Sequence, residues 1–433
     1  MTRYDRRGFI RAGSIFTFGF LSYGDVLRMR AATPPSEAKP KVDPREISII
    51  HLLLGGGMSH QDTFDMKPDA KSKYRSPFKQ IPTSAPGLQV CEHLPLTAKL
   101  AHKYFVIRTM THKAANHDIA LNLMLTGHEQ IATVDHPTMG SIVSCELGPR
   151  NELPAFAGVP GASVEPGGRA GFLGSRYNPF HTGDPNKPDW SVRDLNLPMG
   201  VEWARMEGRF SLKNLVESRI RTWDTSDSFE TLDSYYRNAL NLMRSPTARK
   251  AFDIAQEPEA VRERYGRTTM GQGALLARRL VEARVRFVTV CRGFNAWDHH
   301  ANLYPAMTND FLPDIDRTFS ALIEDLSQRG LLDTTLVILS GEFGRTPEIN
   351  VNGGRDHWPN CFSVVLAGAG IPGGGIYGES DVDGMFVKEN PVQVPDFTAT
   401  LYHKLGIDYT KEYHTGLGRP IRISDGKPLS FLS

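Results

Sequence analysis

Ile47 to Leu54 forms a near-continuous β-prone apolar run, and Gly55-Gly56-Gly57 ends it. A run without polar alternation predicts a strand covered on both faces, emptying into a loop. Tyr104 to Arg108, Val285 to Val290, Thr335 to Leu339 and Phe362 to Ala367 have the same character. Between these runs the period changes. From His117 to Thr126, Ile119, Leu121, Leu123, Met124 and Leu125 recur at helical spacing before Gly127, and Met270 to Glu282 is the clearest amphipathic helix in the chain. A further helical pattern covers Phe229 to Arg244. Strands alternating with helices predict an α/β fold, with a mostly parallel sheet covered on both faces. Pro154 to Asp194, rich in Gly and Pro, reads as long surface excursions that shape a substrate cleft. No internal repeat of fixed period is present.

The N-terminus carries a different signal. Asp5-Arg6-Arg7-Gly8-Phe9-Ile10-Arg11 sets two arginines before an apolar pair, and a weakly apolar stretch follows from Ser14 to Tyr23. This is the layout of a twin-arginine signal, which predicts export to the periplasm or beyond, with removal near Ala32. The expected organisation is a signal over 1–32, a Pro-, Lys- and Glu-rich linker over 33–45 and one domain over 46–433. The apolar stretch is shorter than the roughly 20 residues a membrane anchor requires, so no stable transmembrane segment is expected. A formal net charge of +2, with no long basic stripe, argues against nucleic-acid binding. Cys91, Cys145, Cys291 and Cys361 are scattered without metal-knuckle spacing and read as small core residues.

Four polar clusters follow predicted strands: Ser59 to Asp65, Trp297-Asp298-His299-His300, Gly341-Glu342-Phe343-Gly344-Arg345 and Arg355-Asp356-His357-Trp358. Ligand sites in parallel sheets form at the carboxyl ends of the strands. Carboxylates and imidazoles converging there repel or strand one another without a cation, and they are donors that borderline divalent ions accept. Asp298, His300, Asp356 and His357 are therefore the leading metal ligands. His60, Asp62, Glu342 and His117 are further candidates. The triple glycine fits either a ligand approaching the backbone or a tight turn.

The run Gly55 to Pro68, with Ser59-His60-Gln61-Asp62-Thr63-Phe64-Asp65 inside it, is similar to the opening motif of an exported bacterial family, domain of unknown function 1501. That family is part of the alkaline phosphatase-like superfamily. Tyr265-Gly266, Gln272 to Glu282, Trp297-Asp298 with His300, Gly341 to Pro347, Gly354 to His357 and Gly373 to Gly378 follow in the family's order. The resemblance implies a three-layer α/β/α sandwich. It is closest to the sulfatases at Leu336 to Gly344, at His117 to Gly127 and at Asp396 to Leu401 before Leu405-Gly406-Ile407. Against that pattern, His117 stands where those enzymes carry a hydroxyl or modified nucleophile. Phe343 replaces a His or Asn ligand after Glu342, and Gly55 or Gly56 falls opposite the first-strand Asp ligand.

Two readings follow. In the first, one or two divalent ions (Zn, Ca or Mg) lie in a rebuilt site, and a metal-bound water replaces the side-chain nucleophile in hydrolysing small-molecule or glycan esters of sulfate or phosphate. Arg345 then faces the anionic group, and His117 is a ligand or itself a nucleophile on phosphorus. The bland readings are a helix N-terminal residue for His117, and an ion pair with Glu342 or Glu348 for Arg345. In the second, the protein is a catalytically inactive sulfatase-like relative that binds metal, glycan or a partner protein.

Overall fold

The computed structural model describes residues 42–161, 169–192, 195, 201–220, 240–416 and 418–432. The expected twin-arginine signal, residues 33–41 of the linker and most of the Phe229 to Arg244 pattern lie outside the described residues. Among the described residues nine strands build the central sheet: β1 (Ser48–Leu53), β2 (Tyr104–Thr111), β3 (Phe156–Val159), β4 (Phe180–His181), β5 (Phe287–Cys291), β6 (Thr335–Ser340), β7 (Phe362–Ala367), β8 (Ile376–Tyr377) and β9 (Val392–Gln393). Their order across the sheet is β8-β2-β7-β6-β1-β5-β3-β4, and β9 extends the edge beside β2.

Every residue of β1 is buried, as a near-continuous apolar run predicts. It lies parallel between β5 and β6, with Leu53 level with Cys291 and Ser340. β7 departs from the parallel expectation, because it runs antiparallel to both β2 and β6. The reason is local: β6 ends and β7 begins at the same sheet edge, so residues 341–361 never cross over. That loop folds instead into a small ribbon, Gly344–Arg345 against His357–Trp358.

Helices cover both faces. Leu275, Leu276 and Leu280 of α3 (Thr269–Glu282) and Phe319 and Leu322 of α4 (Leu312–Gln328) share one core with Ile50, Leu52, Val288, Val290, Val337 and Leu339. On the opposite face, Leu121 and Leu125 of α1 (His117–Thr126) pack on Leu53 and Cys291. α2 (Met139–Leu147) lies over β3 and β5, and α5 (Val394–Lys404) contacts α1. This mixed α/β architecture with a large, mostly parallel sheet is the expected one. α1 is set at both ends by its sequence. The Asn116 side chain accepts from the Asp118 and Ile119 N–H groups, and Gly127 closes the helix at φ 78°, a left-handed conformation that favours glycine.

The Gly- and Pro-rich stretch from Pro154 to Asp194 is not all surface excursion. It contributes two sheet strands, β3 and β4, and β3 is wholly buried. Phe156-Ala157-Gly158-Val159 is short, holds a glycine and lies between prolines, so no periodicity marks it. Cys91, Cys291 and Cys361 are buried free thiols, whereas Cys145 is half-buried. Among the described residues no helix is long and apolar enough to cross a membrane.

Candidate metal centre

Four chain segments meet beyond the carboxyl edge of the sheet: Gly55 to Gly57 after β1, 112–116 between β2 and α1, 292–300 after β5 and the ribbon loop after β6. Gly56 (φ 108°) and Gly57 (φ 88°) take left-handed conformations, and a Cβ at Gly56 would meet the Asp298 backbone 2.5 Å away. The triple glycine thus lets neighbouring protein loops close in. Gly56 N–H donates to both oxygens of Glu342, at 2.9 and 3.1 Å. His112 Nε2 bonds the Glu342 carbonyl at 2.7 Å and ties the β2 exit to the β6 exit.

Three imidazoles surround the Asp298 carboxylate in one repeated arrangement. His117 Nε2 lies 3.1 Å from Asp298 Oδ2, while its Nδ1 is 2.6 Å from Glu342 Oε1. His357 Nε2 lies 3.2 Å from Asp298 Oδ1, and its Nδ1 is 2.7 Å from the Ala115 carbonyl. His300 Nε2 lies 3.0 Å from Asp298 Oδ1 and 2.9 Å from His357 Nε2, and its Nδ1 is 2.6 Å from Asp356 Oδ1. A carbonyl can only accept, so His357 carries its proton on Nδ1. Carboxylates at the Nδ1 atoms of His117 and His300 favour the same tautomer. Each neutral ring then turns a bare Nε2 lone pair toward a carboxylate, and two of those lone pairs face each other.

Such a cluster repels itself unless protons or a cation enter it. In formal charge, Asp298, Glu342 and Asp356 against Arg345 leave two negative charges uncompensated. Burial disfavours charging His117, but Asp298 and Glu342 on either side outweigh it and push its pKa up to about 9. The Asp298 carboxyl is penalised by burial too, yet His117, His357 and Arg345 hold it well below the usual carboxylate range. The ligand atoms of His117, Asp298 and His357 all lie within 4.8 Å of one another, and His117 Nε2 is buried with no hydrogen-bond partner. Donors about 3 Å apart match the spacing of atoms that each lie about 2.0–2.2 Å from one ion. A divalent cation therefore fits these residues, and the acceptors on each Nδ1 are the outer partners that orient metal-ligating histidines.

His117, Asp298, His300, Glu342, Arg345, Asp356 and His357 thus come together, with Glu342 and Asp356 one step back as partners of imidazoles. His60 and Asp62 do not join the cluster. His60 is fully buried, with Nε2 2.8 Å from the Gly384 carbonyl. Asp62 is fully buried in a two-pronged pair with Arg355, at 2.8 and 3.3 Å. Their loop folds back under the ribbon instead of reaching over the sheet edge.

Arg345 is 1% exposed and does not face outward toward an oxyanion. Its Nη2 bonds Asp298 Oδ1 at 2.6 Å and also the Gly56 carbonyl, while Nε and Nη1 donate to the carbonyls of Gly57 and Arg355. It orients Asp298, a partner that neither Glu342 nor Glu348 supplies. Sequence reasoning missed Ala115, which acts through its backbone, and saw Phe343 only as a lost ligand. The Phe343 ring packs on His357 at 4.7 Å and on His117 at 5.0 Å, giving the site an apolar wall. Its place directly after Glu342 was the available signal.

Comparison with known proteins places the chain in a family: it belongs to the one described as Protein of unknown function (DUF1501), whose model matches residues 46–431. No curated protein matches it. Among solved structures, a sulfatase from Pseudoalteromonas sp. is similar at 11% identity and a TM-score of 0.39, over 84% of this chain and 68% of that one. A Bacteroides thetaiotaomicron protein of glycosaminoglycan metabolism gives 12% and 0.40, over 83% and 73%. The phosphonate monoester hydrolase of Agrobacterium radiobacter gives 11% and 0.36, over 89% and 77%.

Proposed function

We propose that this chain is an exported, divalent-metal-dependent hydrolase of sulfate or phosphate esters, small-molecule or glycan, with the ion held by His117, Asp298 and His357 and flanked by His300. The observation that carries this reading is the repeated imidazole arrangement, in which an acceptor occupies each Nδ1 and each Nε2 is turned toward Asp298. An imidazole-rich donor set suits Zn²⁺ or a similar borderline ion better than Ca²⁺ or Mg²⁺, which prefer oxygen. A bound ion of this kind supplies a Lewis acid for an ester oxygen and an acidified water, with a pKa near 7 on zinc.

The chain's own residues supply the rest. Arg345 fixes the Asp298 carboxylate, Glu342 and Asp356 fix two rings, and Phe343 keeps water from the inner side of the site. Lys113 is exposed in the segment that also holds Ala115, and it is the candidate cation for the ester's anionic group.

Elemental mass spectrometry tests the site, comparing protein from its native host with an Asp298→Ala/His357→Ala double variant. Hydrolysis of 4-nitrophenyl sulfate and 4-nitrophenyl phosphate by the metal-loaded protein tests the activity. The expected result is near-stoichiometric metal that the variant loses, together with turnover that the variant also loses. Metal without turnover of any ester would leave the inactive, binding reading in front, and metal in neither protein would overturn the proposal. Export is tested separately by Arg6→Lys/Arg7→Lys, which is expected to keep the protein in the cytoplasm.

A further inference from the structure

We infer that the ester substrate is an oligosaccharide, and that the sugar ring next to the one bearing the ester stacks on an aromatic platform formed by Trp358 and Phe386. This rests on the hydrolase reading for its substrate class and adds a subsite outside the metal cluster. Trp358 belongs to the ribbon that also carries His357, and Phe386 closes the tip of a second ribbon, Glu379–Ser380 against Val387–Glu389. The two rings lie 5.6 Å apart at 59°, and the indole N–H donates to the Met385 carbonyl at 2.6 Å.

Exposed apolar side chains gathered in one place mark a binding surface, whereas single ones do not. At this tip Val382 is 65% and Phe386 51% exposed, with the half-buried Trp358 against Phe386. Their exposure does not come from a loose loop. The Asp381 carboxylate accepts from the N–H groups of Asp383, Met385 and Phe386, and the Asp381 N–H donates to the Phe386 carbonyl. From the buried side, His60 Nε2 donates to the Gly384 carbonyl at 2.8 Å, and Gln61 Nε2 donates to the carbonyls of Asp383 and Gly384. Two motif residues that do not reach the metal cluster thus hold this tip. A surface fixed before binding loses little entropy when a ligand arrives.

The openness of the platform selects a sugar. It leaves one side of any ligand in water, so a wholly apolar molecule gains less here than in an enclosed pocket. A pyranose has C–H groups on its faces and hydroxyls around its edge, so it covers an aromatic surface and keeps its polar groups wet. Position sets the length. His357 and Trp358 are consecutive, with Cα atoms about 3.8 Å apart, yet His357 turns to Asp298 while Trp358 turns to Met385 and Phe386. Neighbouring residues of a strand face opposite ways, so a ring on the platform does not itself present an ester to the ion. The ester belongs to the next sugar along the chain.

The test is an array of sulfated saccharides, from monosaccharide to hexasaccharide, probed with full-length wild type, Phe386→Ala and Phe386→Tyr, each chelated and zinc-loaded. Phe386 is more than half exposed, so its truncation leaves the fold intact. Chelated wild type is expected to bind oligosaccharides, Phe386→Ala to bind them about tenfold more weakly, and Phe386→Tyr, which keeps the ring, to match wild type. Zinc-loaded wild type is expected to gain about tenfold from monosaccharide to disaccharide, a gain absent in Phe386→Ala. No oligosaccharide bound by wild type, or equal binding by Phe386→Ala, would overturn the platform. A monosaccharide bound as tightly as the disaccharide would overturn the two-ring assignment. Binding that depends on Phe386 but not on zinc would keep the platform and sink the hydrolase reading instead.

Discussion

Removing the Asp62 carboxylate is expected to destabilise the protein and loosen the metal cluster together. Asp62 and Arg355 are both fully buried, and the guanidinium also donates to the carbonyls of Thr346 and Pro347. Breaking such a pair from one side leaves an uncompensated buried charge and costs about 3–5 kcal/mol. At an unfolding entropy of about 2.1 cal/mol/K per residue, a unit the size of Pro44–Ser433 changes by about 0.8 kcal/mol per degree, so Asp62→Ala lowers Tm by about 4 to 6 °C. The site responds because the Arg355 N–H donates to the His299 carbonyl and the Arg355 carbonyl accepts from Arg345. Scanning calorimetry on chelated protein and a zinc titration read the two effects. The double variant Asp62→Leu/Arg355→Met removes both charges and is expected to recover most of the stability. A loss below about 1 kcal/mol in Asp62→Ala, with unchanged zinc affinity, would refute the reasoning, because it would mean that Arg355 does not need its partner.

Further outcomes follow from the same contacts. His117, whose pKa stands at about 9 in the folded protein against 6.5 ordinarily, contributes stability that is fully present below about pH 6.5 and lost as pH rises through about 9. The Tm of chelated protein should therefore fall between pH 7 and 10, and a flat profile would contradict the flanking carboxylates. Arg345→Met leaves Asp298 without its guanidinium, so unfolding of chelated protein should show a loss of about 3–5 kcal/mol that added zinc reduces. A loss that grew with zinc would argue against an ion at Asp298. Tyr265→Phe deletes a 3.0 Å bond to the Asp325 carboxylate and should cost about 1.5–3 kcal/mol in urea unfolding, leaving metal content intact.

The central strands were legible because β1, β5, β6 and β7 are near-continuous apolar runs, and the polar residues after them marked the functional edge. Asp298, His300, Asp356 and His357 could be grouped from sequence because each follows a strand that ends on that edge. What joins them was not legible. Arg345 resembles any surface arginine until its partner, 47 positions away, is known. The pairing of Asp62 with Arg355 spans 293 positions and turned a candidate ligand into a buried brace. The carbonyl of Ala115 leaves no trace in residue type at all. β3 escaped notice because four residues around a glycine have no period to read.

The place of β1 at the middle of the sheet has a consequence in time. Its two neighbours are made much later: Ile49 pairs with Phe287 and with Leu336, 238 and 287 positions downstream. At about 5–20 residues per second, a ribosome needs roughly a quarter of a minute to a minute to supply them. During that interval an almost wholly apolar segment has no sheet to enter. A nascent chain halted before Thr335 is expected to present Ile47 to Leu54 to chaperones and proteases, and to become resistant only once β6 has emerged.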